Sequence, residues 1–415
     1  MHSLNKYHFE NFIILTVLSQ IFLININFIG GPSIKPSQVY FLFLLIMTAG
    51  SFLKFKFPKL MLNYTFAAFI IISLISFFTL FNYDKQFFFH FSTNEGYKPF
   101  VHILLLTFNL ITPILVYFLI STYDLSKNIL ETFHNSVFYG CMIFFFIVIS
   151  PIDSSFLYKE TTEIILRNEI SVQRFIGGVE FSVLCVAAAA SLINSSSFFK
   201  NTYYSIFKLI ILLSGLIVGF SRQAVLSLII AVFLTFVITS KRNIIQSLSL
   251  FIISILGIFI VCYYSILLFS PAIAELLFER FSSIFQIISY STGTIGDRFQ
   301  LWGKMIAENS TNILIGQGLD AYLKFFSFRG EGAHNFPVMI FHAGGLLAFI
   351  SYLYIQFSVI LYLLNFARYN KTAKTLLIIL IIFFTSSLSN LIYMSHIFWV
   401  FIGISYYYIY KLRTL

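Results

Sequence analysis

The sequence predicts an all-α, polytopic integral membrane protein of about twelve transmembrane helices, and three observations predict it. Of the 415 residues, 59% are hydrophobic and only 10% are charged, with a mean hydropathy of +0.90; a soluble domain carries about 25% charged residues. That leaves too little polar surface to cover a soluble globule, and the chain is far too apolar to be disordered. The apolar residues, 54 Phe among them, fall in long unbroken runs, whereas an outer-membrane barrel alternates apolar and polar residues.

Stretches approaching the 17–25 residues, roughly, that cross a bilayer lie at 11–29, 38–53, 60–82, 100–120, 136–152, 175–195, 206–221, 223–240, 243–270, 336–364, 376–391 and 395–410. The first is followed by Gly30, Gly31 and Pro32 rather than by a small-x-small cleavage site, so it reads as a membrane helix and not as a removed signal. No repeat of fixed period is visible, and residues 1–415 read as one membrane domain.

Lys and Arg set the orientation. With the N-terminus in the cytoplasm, the inside segments hold fourteen of the 26 basic residues, among them Lys54, Lys56, Lys59, Arg368, Lys371, Lys374, Lys411 and Arg413, against only Glu10, Asp124 and Glu131. Both termini are then cytoplasmic. The outer side carries a short turn at 30–37, loops at 83–99 and 151–174, and a large loop at 271–335. Helical apolar spacing over 273–288 and 298–306 predicts two short amphipathic helices in that loop, lying on the membrane surface and joined by a turn at Ser291–Gly296.

Cys141, Cys185 and Cys262 fall inside apolar runs without metal-ligand spacing and read as packing residues. The five Asp residues are isolated, and no P-loop, Gly-x-Ser-x-Gly or His-Glu-x-x-His run occurs. Metal-dependent and nucleotide-driven chemistry are therefore not expected, and neither a cofactor nor a nucleic-acid partner is implied.

Four polar signals collect at the outer face. Ser221-Arg222 interrupts an apolar stretch, where a charge is costly and functional by default; the plainer alternative is a snorkelling arginine. Arg174 precedes Gly177-Gly178 and Glu180, and pairing with Glu180 is its structural alternative. Arg298 follows Asp297 and leads to Trp302, ahead of Gly316-Gln317-Gly318, whose glycines suggest a tight turn or a close backbone approach. His334-Asn335 opens the helix at 336, with Asn335 as a candidate cap and Glu331 placed to orient the imidazole. His342, His396 and the polar run Ser386–Asn390 read as helix–helix hydrogen-bonding groups.

Arginines without a metal motif suit a diphosphate leaving group held by charge-assisted, bidentate bonds. A histidine beside them suits proton removal from an attacking hydroxyl. A lipid-borne diphosphate would enter laterally from the bilayer.

Ser221-Arg222-Gln223-Ala224, Arg298 with Trp302, Gly316-x-Gly318, and His334-Asn335 followed by Ala343-Gly344-Gly345-Leu346 resemble the ordered motifs of the O-antigen polymerase/ligase superfamily. The likeness covers roughly residues 174–350. Gln223 stands where the family often has Gly, and Glu180 near where it often has Asn. The resemblance implies a GT-C-like membrane glycosyltransferase in the bacterial inner membrane, working at the periplasmic face without a metal. Its substrate would be an undecaprenyl-diphosphate-linked oligosaccharide, drawn from among the membrane lipids, with a chain-length regulator and a flippase as protein partners. It implies His334, Arg222 and Arg298 as catalytic residues, and Arg174, Arg222, Arg298, Asn335 and Glu331 as substrate-binding residues. O-antigen polymerase is favoured, with O-antigen ligase, which transfers polymer onto lipid A-core, next. A lipid-linked oligosaccharide flippase and a non-catalytic assembly protein are the readings from other classes. A flippase would carry charges near the midplane and two related halves, and neither is visible here.

Overall fold

The computed structural model describes residues 2–22, 26–27, 33–81, 99–123, 129–149, 158–165, 168–175, 178–195, 201–218, 222–239, 249, 301–307, 309–319, 335–388 and 396–414. The long helices among them are α1 (His2–Ile21), α2 (Pro36–Phe52), α3 (Lys59–Phe81), α4 (Pro99–Tyr123), α5 (Ile129–Ile149), α6 (Gly178–Asn194), α7 (Thr202–Val218), α8 (Arg222–Thr239), α9 (Phe336–Ala367), α10 (Lys371–Ser387) and α11 (His396–Thr414). Eleven of the twelve expected apolar stretches thus carry a helix; the stretch at 243–270 lies, residue 249 apart, outside the described residues. Among the described residues, four helical segments are long and apolar enough to cross a bilayer: Lys59–Thr79, Ile103–Thr122, Ile129–Ile147 and Phe336–Ala367. Three more, Pro36–Phe52, Glu180–Asn194 and Thr202–Leu216, are apolar but shorter.

Large apolar residues stand on the outside. Ile46 is 74% exposed, Phe66 67% and Phe146 69%, an outer coat compatible with membrane insertion. The interior runs through α6, α10 and α11, whose residues are buried on nearly every side, as expected of helices that are apolar all round. Small residues let these helices approach. A Cβ at Gly403 of α11 would lie 2.8 Å from the Pro113 carbonyl oxygen of α4, so the two helices meet there almost backbone to backbone. Cys141 and Cys185 are buried packing residues whose sulfurs lie 3.5 Å apart, and Gly215 of α7 leaves the room they occupy.

A set of basic residues gathers at one end. The α2–α3 turn, which carries Lys54 and Lys56, packs Phe55 and Phe57 against Tyr117 of α4, and Tyr117 meets Tyr407 and Tyr410 of α11 beside Lys411 and Arg413. The Arg413 guanidinium lies 4.0 Å from the Tyr362 ring centroid.

Strands add to the all-helical expectation. β1 (Ile26–Asn27) and β2 (Ser33–Ile34) form a minimal antiparallel pair. β3 (Tyr158–Ile165) and β4 (Asn168–Phe175) form an eight-residue hairpin inside the expected outer loop. Its β-branched residues at Thr161, Thr162, Ile164, Ile165, Ile170 and Val172 favour extended backbone.

The expected span at 336–364 carries a helix that is broken inside. A straight 32-residue helix is about 48 Å long, well beyond the ~30 Å hydrocarbon core. Gly345 breaks α9 with φ 68° and ψ −168°, a region open essentially to glycine alone. Phe336 and Tyr352 would stand about 24 Å apart on a straight helix, yet their ring centroids are 5.0 Å apart. The chain therefore doubles back at Gly345. Residues 336–344 form a short arm lying against the start of the long arm, 346–367.

Candidate functional site: the break in α9

A broken helix strands backbone groups, and inside a membrane only protein can satisfy them. The segment 309–319 does so here. It starts with a 3-10 turn at Asn309–Thr311. Asn309 Nδ2 donates to the Phe341 carbonyl at 2.7 Å. The Gln317 and Gly318 amides donate to the His342 and Ala343 carbonyls, both at 2.9 Å. In return the Leu346 and Leu347 amides donate to the Ile313 and Leu314 carbonyls at 2.8 and 3.2 Å. The Leu319 amide reaches Thr79 Oγ1 of α3 at 2.8 Å.

Such contact requires glycine on both sides. A Cβ at Gly316 (φ 76°) would lie 2.5 Å from the Gly345 nitrogen, and one at Gly345 would lie 2.4 Å from the Ile315 nitrogen. A Cβ at Gly318 (φ 84°) would lie 2.8 Å from the Phe78 backbone. The close approach suggested by Gly316-x-Gly318 is present: Gly316 meets Gly345, and Gly318 meets the Phe78–Thr79 backbone of α3. Part of the large loop, 309–319, is thus built into the helix bundle, and the helix expected at 273–288 lies outside the described residues. Residues 301–307 are helical as expected, with Leu301 and Met305 buried one turn apart.

Asn335 caps the short arm, as the sequence suggested. Its Oδ1 accepts from the Val338 amide at 3.0 Å, and Pro337 follows where no amide is needed. Its Nδ2 donates to the Leu388 carbonyl at the end of α10 at 2.8 Å. Both polar atoms of Asn335 are thus engaged in holding two helix ends together. Two residues before Leu388, Ser386 bonds Ser227 of α8 at 2.9 Å, and Thr385 donates to the same Ser227 oxygen at 2.9 Å. Arg222 is the first residue of α8. The starts of α8 and α9 and the end of α10 are therefore linked at one end of the bundle. That end lies opposite the basic turns.

Arg174 lies in β4, opposite Lys159 of β3 in the register. Glu180 is at the start of α6: its carboxylate accepts from Gln20 Nε2 of α1, and Gln20 Oε1 accepts from Lys35 Nζ at the head of α2. Burial lowers the Lys35 pKa from the ordinary lysine value, and the Glu180 charge opposes that shift. Arg298, Glu331 and His334 lie outside the described residues.

Sequence reading missed one feature near this end. His396 opens α11 buried among Phe12, Phe41 and Phe108, with ring centroids 5.0–5.5 Å away, and its Nε2 lies 2.9 Å from Thr112 Oγ1 of α4. The bond is the helix–helix tie expected of His396; the aromatic box is not readable from spacing, because its members come from three other helices.

The chain matches no protein-family model, no curated protein and no solved structure.

Proposed function

We propose that the protein is a membrane glycosyltransferase, an O-antigen-type polymerase that transfers a growing polyprenyl-diphosphate-linked glycan onto the next lipid-linked repeat unit. The supporting observation is the interlock of Gly316-x-Gly318 with the Ala343–Gly345 stretch, in the helix that Asn335 caps. Gly316-x-Gly318 and the Gly344-Gly345 run are separate motifs of the resemblance, and they meet at one helix break. Arg222 begins a helix tied to the same assembly through Ser227.

In this mechanism Arg222 and Arg298 neutralise the diphosphate, so that it leaves with the bonding electrons of the glycosidic carbon–oxygen bond. His334 takes the proton from the attacking sugar hydroxyl, with Glu331 orienting the ring. Asn335, the residue after His334 in the sequence, caps the start of α9. Arg174, which lies in β4 opposite Lys159 in the register, is assigned to binding of the same diphosphate. No step requires a metal.

The test is a lipopolysaccharide gel of the host lacking this gene, with the undecaprenyl-linked pool analysed beside it. Core bearing at most one repeat unit, with no long lipid-linked chains, is the expected result. Bare core with long chains stranded on the lipid would mean ligase instead. An unchanged ladder would remove both assignments.

A further inference from the structure

Three stretches of the chain, 51–60, 362–376 and 404–415, hold eight Lys and Arg residues and no Asp or Glu. Tyr117 of α4 brings two of them together. Its ring lies 6.2 and 6.3 Å from Phe55 and Phe57, which alternate with Lys54 and Lys56. It also lies 6.3 and 6.2 Å from Tyr407 and Tyr410 of α11, just ahead of Lys411 and Arg413. Arg413 joins the third stretch, because its guanidinium stacks 4.0 Å from the Tyr362 ring near the end of α9, ahead of Arg368 and Lys371. Lys54, Lys56, Arg368, Lys371 and Arg413 are all exposed. Asp124, which follows α4 in the sequence, lies outside the described residues.

Cations gathered in this way repel one another. Lys371 and Lys374 stand three residues apart in the first turn of α10, where the helix dipole also disfavours positive charge. Ring contacts hold Lys411 and Arg413 in the group, and a ring face leaves a cation its full charge. An anion among them removes the repulsion. The surroundings select the kind of anion. Leu53, beside Lys54, is 85% exposed, and Tyr369, beside Arg368, is 88% exposed. A soluble phosphate gives an exposed leucine no cover, whereas an acyl chain does. Aromatic rings interleaved with Lys and Arg are the pattern of the membrane–water interface, which is where lipid phosphates lie. The planar forks of Arg368 and Arg413 match the two free oxygens of a phosphodiester.

We propose that this basic end of the bundle binds an anionic phospholipid, with the phosphate among Lys54, Lys56, Lys411 and Arg413 and an acyl chain over Leu53. None of these residues belongs to the proposed catalytic set, so the site stands whether or not the protein is a glycosyltransferase. The test uses the full-length protein, stripped of lipid in a neutral detergent. It is titrated with phosphatidylglycerol or with phosphatidylcholine of the same acyl chains, and the retained lipid is counted by native mass spectrometry. Phosphatidylglycerol is expected to bind more tightly by about tenfold or more. Lys54→Gln and Lys56→Gln, both in an exposed turn, are each expected to weaken it by about fivefold, roughly 1 kcal/mol. Arg413→Gln should do the same. Lys56→Arg, which keeps the charge, should bind as the parent does. Lys304→Gln, which removes an exposed cation outside the group, should leave binding unchanged. Equal retention of the two lipids overturns the proposal. So does a loss from Lys304→Gln as large as that from Lys56→Gln, which would make the attraction diffuse. Displacement of phosphatidylglycerol by excess glycerol phosphate also overturns it, because the ligand would then be a soluble phosphate.

Discussion

The rings of Phe336 and Tyr352 lie 5.0 Å apart, edge to face, although sixteen residues separate them along one apolar run. Gly345 makes this contact possible. Its backbone occupies a region closed to other residues, and its missing Cβ admits the Ile315 and Gly316 backbone. Gly345→Ala is expected to destabilise the protein by about 1–3 kcal/mol from backbone strain alone, with more from overlap. Thermal unfolding in detergent would show it as a lowered Tm. Gly303→Ala, where an added Cβ meets nothing within 4 Å, should leave the Tm unchanged. Equal behaviour of the two variants would mean that the fold-back is not a stabilising feature.

Asn335 joins two helix ends with one side chain. Asn335→Ala removes the cap and leaves the Leu388 carbonyl without this donor, at an expected cost of about 1–2 kcal/mol. Asn335→Ser keeps a capping oxygen but cannot reach Leu388 as a donor in the same way, and should fall between the alanine variant and the parent. A Tm order of parent, serine, alanine is predicted.

Much of the helical layout was legible, because α2, α3, α4 and α6 coincide with apolar runs to within a few residues. The Gly316-x-Gly318 approach was legible too, since paired glycines have few other uses. The fold-back at Gly345 was hidden, because hydropathy is continuous through it and measures burial in lipid without direction. The Gly344-Gly345 pair inside a helix was the available signal. The β3–β4 hairpin had period-2 patterning at Ile170, Val172 and Arg174 that the loop assignment passed over. The partnership of Gln20 with Glu180 joins residues 160 positions apart, which no local pattern can reveal.

That partnership makes its own prediction. Gln20→Leu removes both of its bonds, to Glu180 and to Lys35, at an expected cost of about 1–3 kcal/mol. The Lys35 pKa is lowered by burial in the folded state. Between that lowered value and the ordinary 10.5, the unfolded chain holds a proton that the folded protein has released. Raising the pH through this window therefore stabilises the fold. Glu180→Gln removes the charge that opposes the shift, so the rise in Tm should begin at lower pH than in the parent. An identical pH profile would mean that Glu180 does not act on Lys35.

Orientation is open to direct labelling. Tyr369 lies in the exposed turn between α9 and α10, and Asn312 is exposed in the segment that crosses the helix break. With Cys262 replaced by serine, Asn312→Cys should react with an impermeant maleimide in cells made permeable only at the outer membrane. Tyr369→Cys should react only after lysis. The reverse pattern would invert the topology and place the candidate site in the cytoplasm.

The most direct test of the proposed activity is complementation of the deletion strain with Arg222→Ala at matched membrane abundance. The account predicts core carrying at most one repeat unit and no polymer ladder, with His334→Ala giving the same result. A full ladder from either variant would contradict it.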